Sequence, residues 1–121
     1  MIIYQATITA IGPYVEEFID HNILVFFGDQ APEELAEFSI LHDGKEMHGN
    51  LTIGDVVSLG DNEFTVLAVG EVANDNLKNL GHLIIRFNGE TEPEMPGDVC
   101  VEAKPLPIIE PGLEFRIEKG K

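Results

Sequence analysis

The 121-residue sequence has one cysteine, no tryptophan and only seven Lys and Arg. A lone thiol, Cys100, cannot close an internal disulfide, so nothing points to an oxidising compartment. Cys100 sits in an apolar strand pattern, where cysteine packs as a small hydrophobe rather than serving as a thiolate nucleophile. No apolar run approaches the roughly 18 residues that a membrane span requires. The N-terminal Met1-Ile2-Ile3-Tyr4-Gln5 has neither the basic region nor the small-residue cleavage site of a signal peptide. A single cytoplasmic domain over residues 1–121 is expected, with no direct membrane insertion.

Scarce cations are set against 22 Asp and Glu, for a net charge of −15 at pH 7. Such a surface repels phosphate backbones and anionic lipid, which disfavours nucleic acid and membrane partners. It would steer in a basic protein, although acidity also serves plain solubility. The phosphate-cradling Gly-x-x-x-x-Gly-Lys-Ser/Thr and Gly-x-Gly-x-x-Gly patterns are missing, as is the Gly-x-Ser-x-Gly elbow. No Cys-x-x-Cys and no helical histidine pair suggests a zinc site, so neither metal nor cofactor is expected. Carboxylate pairs are abundant, but 22 acids produce them by chance.

What is present is a series of short apolar runs divided by Gly, Asp, Asn and Pro, the pattern of a small all-β domain. Ile2, Tyr4, Ala6, Ile8 and Ala10 alternate on one face of a first strand. Ile23 to Phe27 reads as a strand buried on both faces. Val56–Leu59 and Phe64–Val69 pair around Gly60-Asp61-Asn62, and His82–Asn88 forms a further strand. Val99–Ala103 and Leu113–Ile117 close the fold, with an exposed loop over Gly89–Asp98 and a frayed tail over 118–121. Short helices fit Val15–Ile19, Glu33–Phe38 (Pro32 opening it) and Ala73–Leu80, the last stopped by Gly81. The expected architecture is a closed antiparallel β-barrel with a few short helices, which hides its strand edges.

Of the histidines His21, His42, His48 and His82, His42 stands out by position. It ends the apolar run Ser39-Ile40-Leu41 and abuts Asp43-Gly44, a dipeptide that favours a tight hairpin turn. In that hairpin His42 faces Lys45, and His48 pairs with Ser39. An imidazole so placed suits nucleophilic phosphoryl transfer, provided its ring is reachable. Solvent exposure is therefore expected, with an apolar rim from Ile40, Leu41 and Met47. The alternative from position alone is a plain surface histidine.

Several segments resemble the glucitol/sorbitol-specific IIA family of the phosphoenolpyruvate-dependent phosphotransferase system. They are Ile3 to Gly12, Phe27-Gly28-Asp29-Gln30-Ala31-Pro32, Glu37 to His42, and above all Val66 to Leu77. Leu80-Gly81-His82, Arg86-Phe87-Asn88-Gly89 and Met95-Pro96-Gly97 follow in order. The resemblance implies that His42 is the phosphorylated histidine, and that His82 either donates to the phosphate or is structural. Gly44 stands where the family has a second histidine, so position 44 contributes nothing and the assignment rests on His42 alone. The implied partners are the phosphocarrier HPr as donor and the IIB/IIC components of a membrane hexitol transporter as acceptor. Two other readings remain open. One is a non-catalytic regulatory or ligand-binding barrel of the same fold, and the other is a metal-dependent hydrolase built from several histidines.

Overall fold

The alternation in the first ten residues becomes the longest strand of the barrel. In the computed structural model, which describes residues 1–120, strand β1 runs Ile2–Ile11 with Tyr4, Ala6 and Ile8 buried. Its first half pairs antiparallel with the last strand, β8 (Glu114–Glu118), and its second half with β3 (Ile40–His42). The register slips between Ile8 and Ala10, which turns Ala10 outward and out of phase with the inward face.

The remaining strands are β2 (Ile23–Gly28), β4 (Val56–Leu59), β5 (Asn62–Val69), β6 (Leu83–Arg86) and β7 (Asp98–Val101). They close in the order β1-β3-β2-β6-β7-β5-β4-β8. The expected closed barrel is thus present, and most of its pairings are antiparallel. Two are not: β2 and β3 run parallel, as do β6 and β7. A parallel step needs a crossover rather than a tight turn. Helix α2 (Glu33–Ala36) lies within the first crossover and residues 87–97 make the second. Between β4 and β5 the expected hairpin forms, with Gly60 at φ 60° in a two-residue turn.

The core is aliphatic and aromatic. Phe26 and Phe115 stack inside the barrel with centroids 4.3 Å apart, and Phe64 meets Phe87 edge-on. Burying one such side chain contributes roughly 1.5–3 kcal/mol. Strand β2 keeps Leu24 and Phe26 fully inside, while Ile23 and Val25 on its other face are only half-buried. Helix α1 (Val15–Ile19) lies where the spacing placed it, whereas α2 ends at Ala36 rather than Phe38.

Two terminal expectations change. Asp98 is not in the exposed loop but begins β7, fully buried, with its carboxylate 2.8 Å from Arg86 Nε. Glu118 to Gly120 are not frayed. Glu118 belongs to β8, Lys119 Nζ donates to Asp55 Oδ2, and the Gly120 amide donates to Asp55 Oδ1. Lys121 lies outside the described residues.

Candidate functional site

Strand β3 is three residues long, and its parity decides where His42 points. Ile40 and His42 share the inward face while Leu41 turns half out, so a core Ile40 carries His42 into the barrel with it. The ring is 0% exposed, and the expected solvent-exposed histidine is not found. Nor does the apolar rim form. Ile40 is core, Leu41 faces a different groove beside Gly12, and Met47 packs against the core cluster.

The expected hairpin is also absent, for a local reason. Asp43 does not enter a turn but continues pairing with β1. Its amide donates to the Thr7 carbonyl, and its Oδ1 accepts the Thr7 amide at 2.7 Å. Residues 43–48 form no strand, so Lys45 does not face His42 across a ladder and His48 does not pair with Ser39. Gly44 has no positive φ, so turn geometry is not what requires it. A Cβ there would lie 2.6 Å from Tyr4 Cε2 and 2.7 Å from its hydroxyl, so any side chain at 44 requires the Tyr4 ring to shift.

Gly44 nevertheless serves His42. Its backbone amide donates to Nδ1 at 3.0 Å, so that nitrogen carries the lone pair. Nε2 therefore bears the proton and donates it to the Gly81 carbonyl at 2.8 Å. The expectation that position 44 contributes nothing holds for a side chain and fails for the backbone. Tyr4 meets the ring edge-on with centroids 5.7 Å apart, and Phe115 closes its other side at 5.9 Å.

Gly81 reaches this place because helix α3 (Ala73–Leu80) ends there. Ala73 and Leu77 are buried on its inner face, and Gly81 caps it in the left-handed region at φ 63°. A Cβ on Gly81 would lie 2.9 Å from His42 Cε1 and 2.9 Å from the Gly28 amide nitrogen. Gly28 pairs with His42 across the parallel β2–β3 ladder, and the Asp29 amide donates to the His42 carbonyl. Three chain segments thus converge on one ring.

Above it lies a cleft of about 310 Å³, lined by residues 28–32 after β2, Gly44-Lys45, and the end of α3 from Leu77 to Gly81. Tyr4 and Phe27 complete the wall. Burial pushes the His42 pKa below its ordinary value, against the opposing pull of the Gly81 carbonyl and of the Asp43 and Asp29 carboxylates. The ring is thus held neutral, the form with a nucleophilic lone pair. Burial, aided by Asp43, pushes the Tyr4 hydroxyl up to about 12, so it remains a proton donor.

The sequence matches the family described as PTS system glucitol/sorbitol-specific IIA component over residues 3–116. The chain belongs to that family. It is 42% identical over 121 residues to the PTS system glucitol/sorbitol-specific EIIA component of Shigella flexneri, covering 99% of this chain and 98% of that protein. The component of the same name from Escherichia coli (strain K12) gives the same identity and coverage. The crystal structure of a PTS system IIA component from Enterococcus faecalis V583 has a similar fold. Its TM-score is 0.78 at 25% identity, covering 97% of this chain and 99% of that one. As a glucitol/sorbitol IIA component the protein is a phosphotransferase component of a sugar-transport system. Such components work with HPr and with IIB and IIC partners in general.

The other candidates of this IIA domain lie away from the cleft. His82 is half-buried, stacks on Phe27 at 4.5 Å, and shares a 3.1 Å hydrogen bond between Nδ1 and the Phe26 carbonyl. It braces the turn from α3 into β6 and does not line the cleft. His48 is exposed beside Glu46, and His21 is exposed after α1. Cys100 is buried and burial raises its thiol pKa, as a packed residue requires. Among the described residues no group of three His, Cys, Asp or Glu is arranged to hold a metal ion. No helix among the described residues is long and apolar enough to cross a membrane.

Sequence reasoning missed Tyr4, Gly44, Lys45, Lys78 and Gly81 as site residues. The one available signal was Leu80-Gly81-His82, where a helix-ending glycine hinted at a close approach.

Proposed function

We propose that His42 is the residue of this IIA component that carries phosphate. It takes the phosphoryl group from the phosphohistidine of HPr and passes it to the IIB part of a membrane hexitol transporter, working in the cytoplasm. The observation that carries this reading is the ring's fixed, neutral state directly behind the cleft wall. It is held between the amide of Gly44 and the carbonyl of Gly81, two residues that line the cleft although His42 itself does not. Neutral imidazole with both nitrogens oriented is what nucleophilic transfer requires. In the first transfer the His42 lone pair forms the new N–P bond, and in the second the accepting group of IIB forms the new bond to phosphorus with His42 as donor. The donor N–P bond breaks, and its electron pair returns to the donor imidazole. No nucleotide is needed, because the donor already holds an activated phosphoryl group.

Access is the condition on this reading, since the resting ring is fully covered. Its cover on the cleft side is the backbone of Gly44 and Gly81 together with the Tyr4 ring, all three of which touch the imidazole and line the cleft. One of the two ring hydrogen bonds must open for attack. The Gly44 segment belongs to no strand, so its peptide can turn without breaking a ladder pairing.

The same burial favours the second reading, a non-catalytic barrel that has kept the fold. Incubation with phosphoenolpyruvate, enzyme I and HPr separates the two. Transfer at His42 yields one acid-labile phosphate per chain, mapping to the peptide that contains His42. A chain that takes up no phosphate, or takes it on another histidine, would sink the assignment.

A further inference from the structure

The chain's few cations are almost all committed to acids. Of its seven Lys and Arg, Lys121 lies outside the described residues, which leaves six. Arg86 pairs with Asp98 at 2.8 Å, Lys104 with Glu102 at 3.6 Å, Arg116 with Glu118 at 2.7 Å, and Lys119 with Asp55 at 3.1 Å. Lys45 and Lys78 alone among the described residues have no carboxylate within salt-bridge distance. Both line the cleft over His42, Lys45 from the segment leaving β3 and Lys78 from the last turn of α3.

With 22 acids in the chain, two unpaired lysines on one small cleft call for a physical reason. Lys78 has a partial one, because a cation near a helix C-terminus is favoured by the macrodipole. That does not account for Lys45, which belongs to no helix. Part of the wall opposes an anion, because Asp29 lines it and the C-terminal end of α3 faces it, while the Tyr4 hydroxyl is a neutral donor that carries no compensating charge. An arriving phosphoryl group, with two negative charges, would be repelled there unless cations offset that field. Lysine acts on phosphate as a mobile point charge, which suits a group that must both arrive and depart.

We propose that Lys45 and Lys78 form a two-sided anion clamp at the mouth of the cleft, binding the phosphoryl group as it reaches and leaves His42. The clamp rests on the reading of His42 as acceptor for its role, although its affinity for phosphate can be measured without that reading. The lysines donate hydrogen bonds to the phosphoryl oxygens, and the N–P bond is made and broken at the imidazole below them.

The test uses Lys45→Gln, Lys78→Gln, the double variant and Lys104→Gln, which changes net charge equally at a remote, paired lysine. Inorganic phosphate is titrated into each protein while backbone amide NMR shifts are followed. Separately, His42 labelling from phospho-HPr is timed. Phosphate should shift the amides of Gly44, Lys45, Leu80 and Gly81, and the double variant should lose those shifts. Each single cleft variant should slow labelling about 10-fold or more without lowering its final stoichiometry, since losing one transition-state donor typically costs 10²- to 10³-fold and exposed charges fall at or below that range. Lys78→Arg should restore most of the rate, and Lys104→Gln should match the parent protein. Full-rate labelling in the double variant, or equal slowing by Lys104→Gln, overturns the clamp and leaves His42 as acceptor untouched. Cleft-centred phosphate shifts in a protein that is never labelled at His42 would overturn the acceptor reading instead.

Discussion

Gly81 and His42 hold each other in place: the Gly81 carbonyl accepts Nε2–H at 2.8 Å, and the space where a Cβ would sit is filled by the ring's Cε1. The glycine is required twice, once by its φ of 63° and once by the histidine. The cap of α3 is therefore also the floor of the cleft. Closing the helix correctly and orienting the imidazole are one structural event.

Gly81→Ala tests this coupling. A left-handed alanine costs about 1–2 kcal/mol, and displacing the ring or Gly28 adds about 1–3 kcal/mol of overpacking. The variant should unfold at lower urea concentration, and the His42 imidazole NMR signals should move. An alanine variant with unchanged His42 signals would mean that the ring does not depend on this contact.

His42→Ala should do more than abolish phosphate uptake. A surface histidine in a hairpin turn would cost about 0.5 kcal/mol at most. The buried ring instead leaves a cavity beside Tyr4 and Phe115 and strands the Gly44 amide and Gly81 carbonyl. We expect a loss of about 2–4 kcal/mol. His42→Gln retains an amide that can reach both partners, so it should recover part of the stability and none of the labelling. Equal stability for the alanine variant and the parent, by urea unfolding, would show that the ring is not packed as described.

The sequence made β1, α3 and the β4–β5 hairpin legible because each is set by local pattern: alternation, a helical face ending in glycine, and a two-residue turn. The parallel pairs β2–β3 and β6–β7 were not legible, since crossovers leave no periodic mark. Asp43-Gly44 misled because such a dipeptide has two uses. Here Asp43 extends the ladder to Thr7, and Gly44 is small to admit Tyr4, forty residues earlier in the chain. The burial of His42 was within reach, however. Once Ile40 is assigned to the core, a period of two places His42 on the same face. The pairing of His42 with Gly81 joins segments 39 residues apart, and no local rule reports it.

The histidine's titration follows from its burial. Its folded pKa lies below the ordinary 6.5, with desolvation as the main cause, so the unfolded chain takes up the proton first as pH falls. Between those two values the unfolded state binds more protons, and stability falls as pH falls through the window. Above 6.5 this contribution to stability is whole. Urea midpoints for the parent and His42→Gln should converge as pH drops from 7 through the window, while imidazole NMR should place the His42 midpoint below 6.5. A midpoint at or above that value would mean the ring is not desolvated. The functional counterpart is that phosphate acceptance should hold down to mildly acidic pH, because the ring stays neutral there.

His82 separates a brace from a phosphate ligand. Its ring stacks on Phe27, and Nδ1 donates to the Phe26 carbonyl, so its donor on that side is already committed. His82→Ala should remove one stacked pair and one hydrogen bond, about 1–2 kcal/mol together. The melting temperature should fall while the rate of His42 labelling at a temperature well below the transition stays within about twofold. A transition-state donor would behave in the opposite way, with the rate dropping roughly 10²- to 10³-fold at little cost in stability. His82→Phe sharpens the distinction, since it can keep the stack on Phe27 but cannot donate. If His82→Phe melts near the parent temperature yet labels as slowly as a donor-deleted protein, His82 reaches the phosphate and the bracing role assigned to it is wrong.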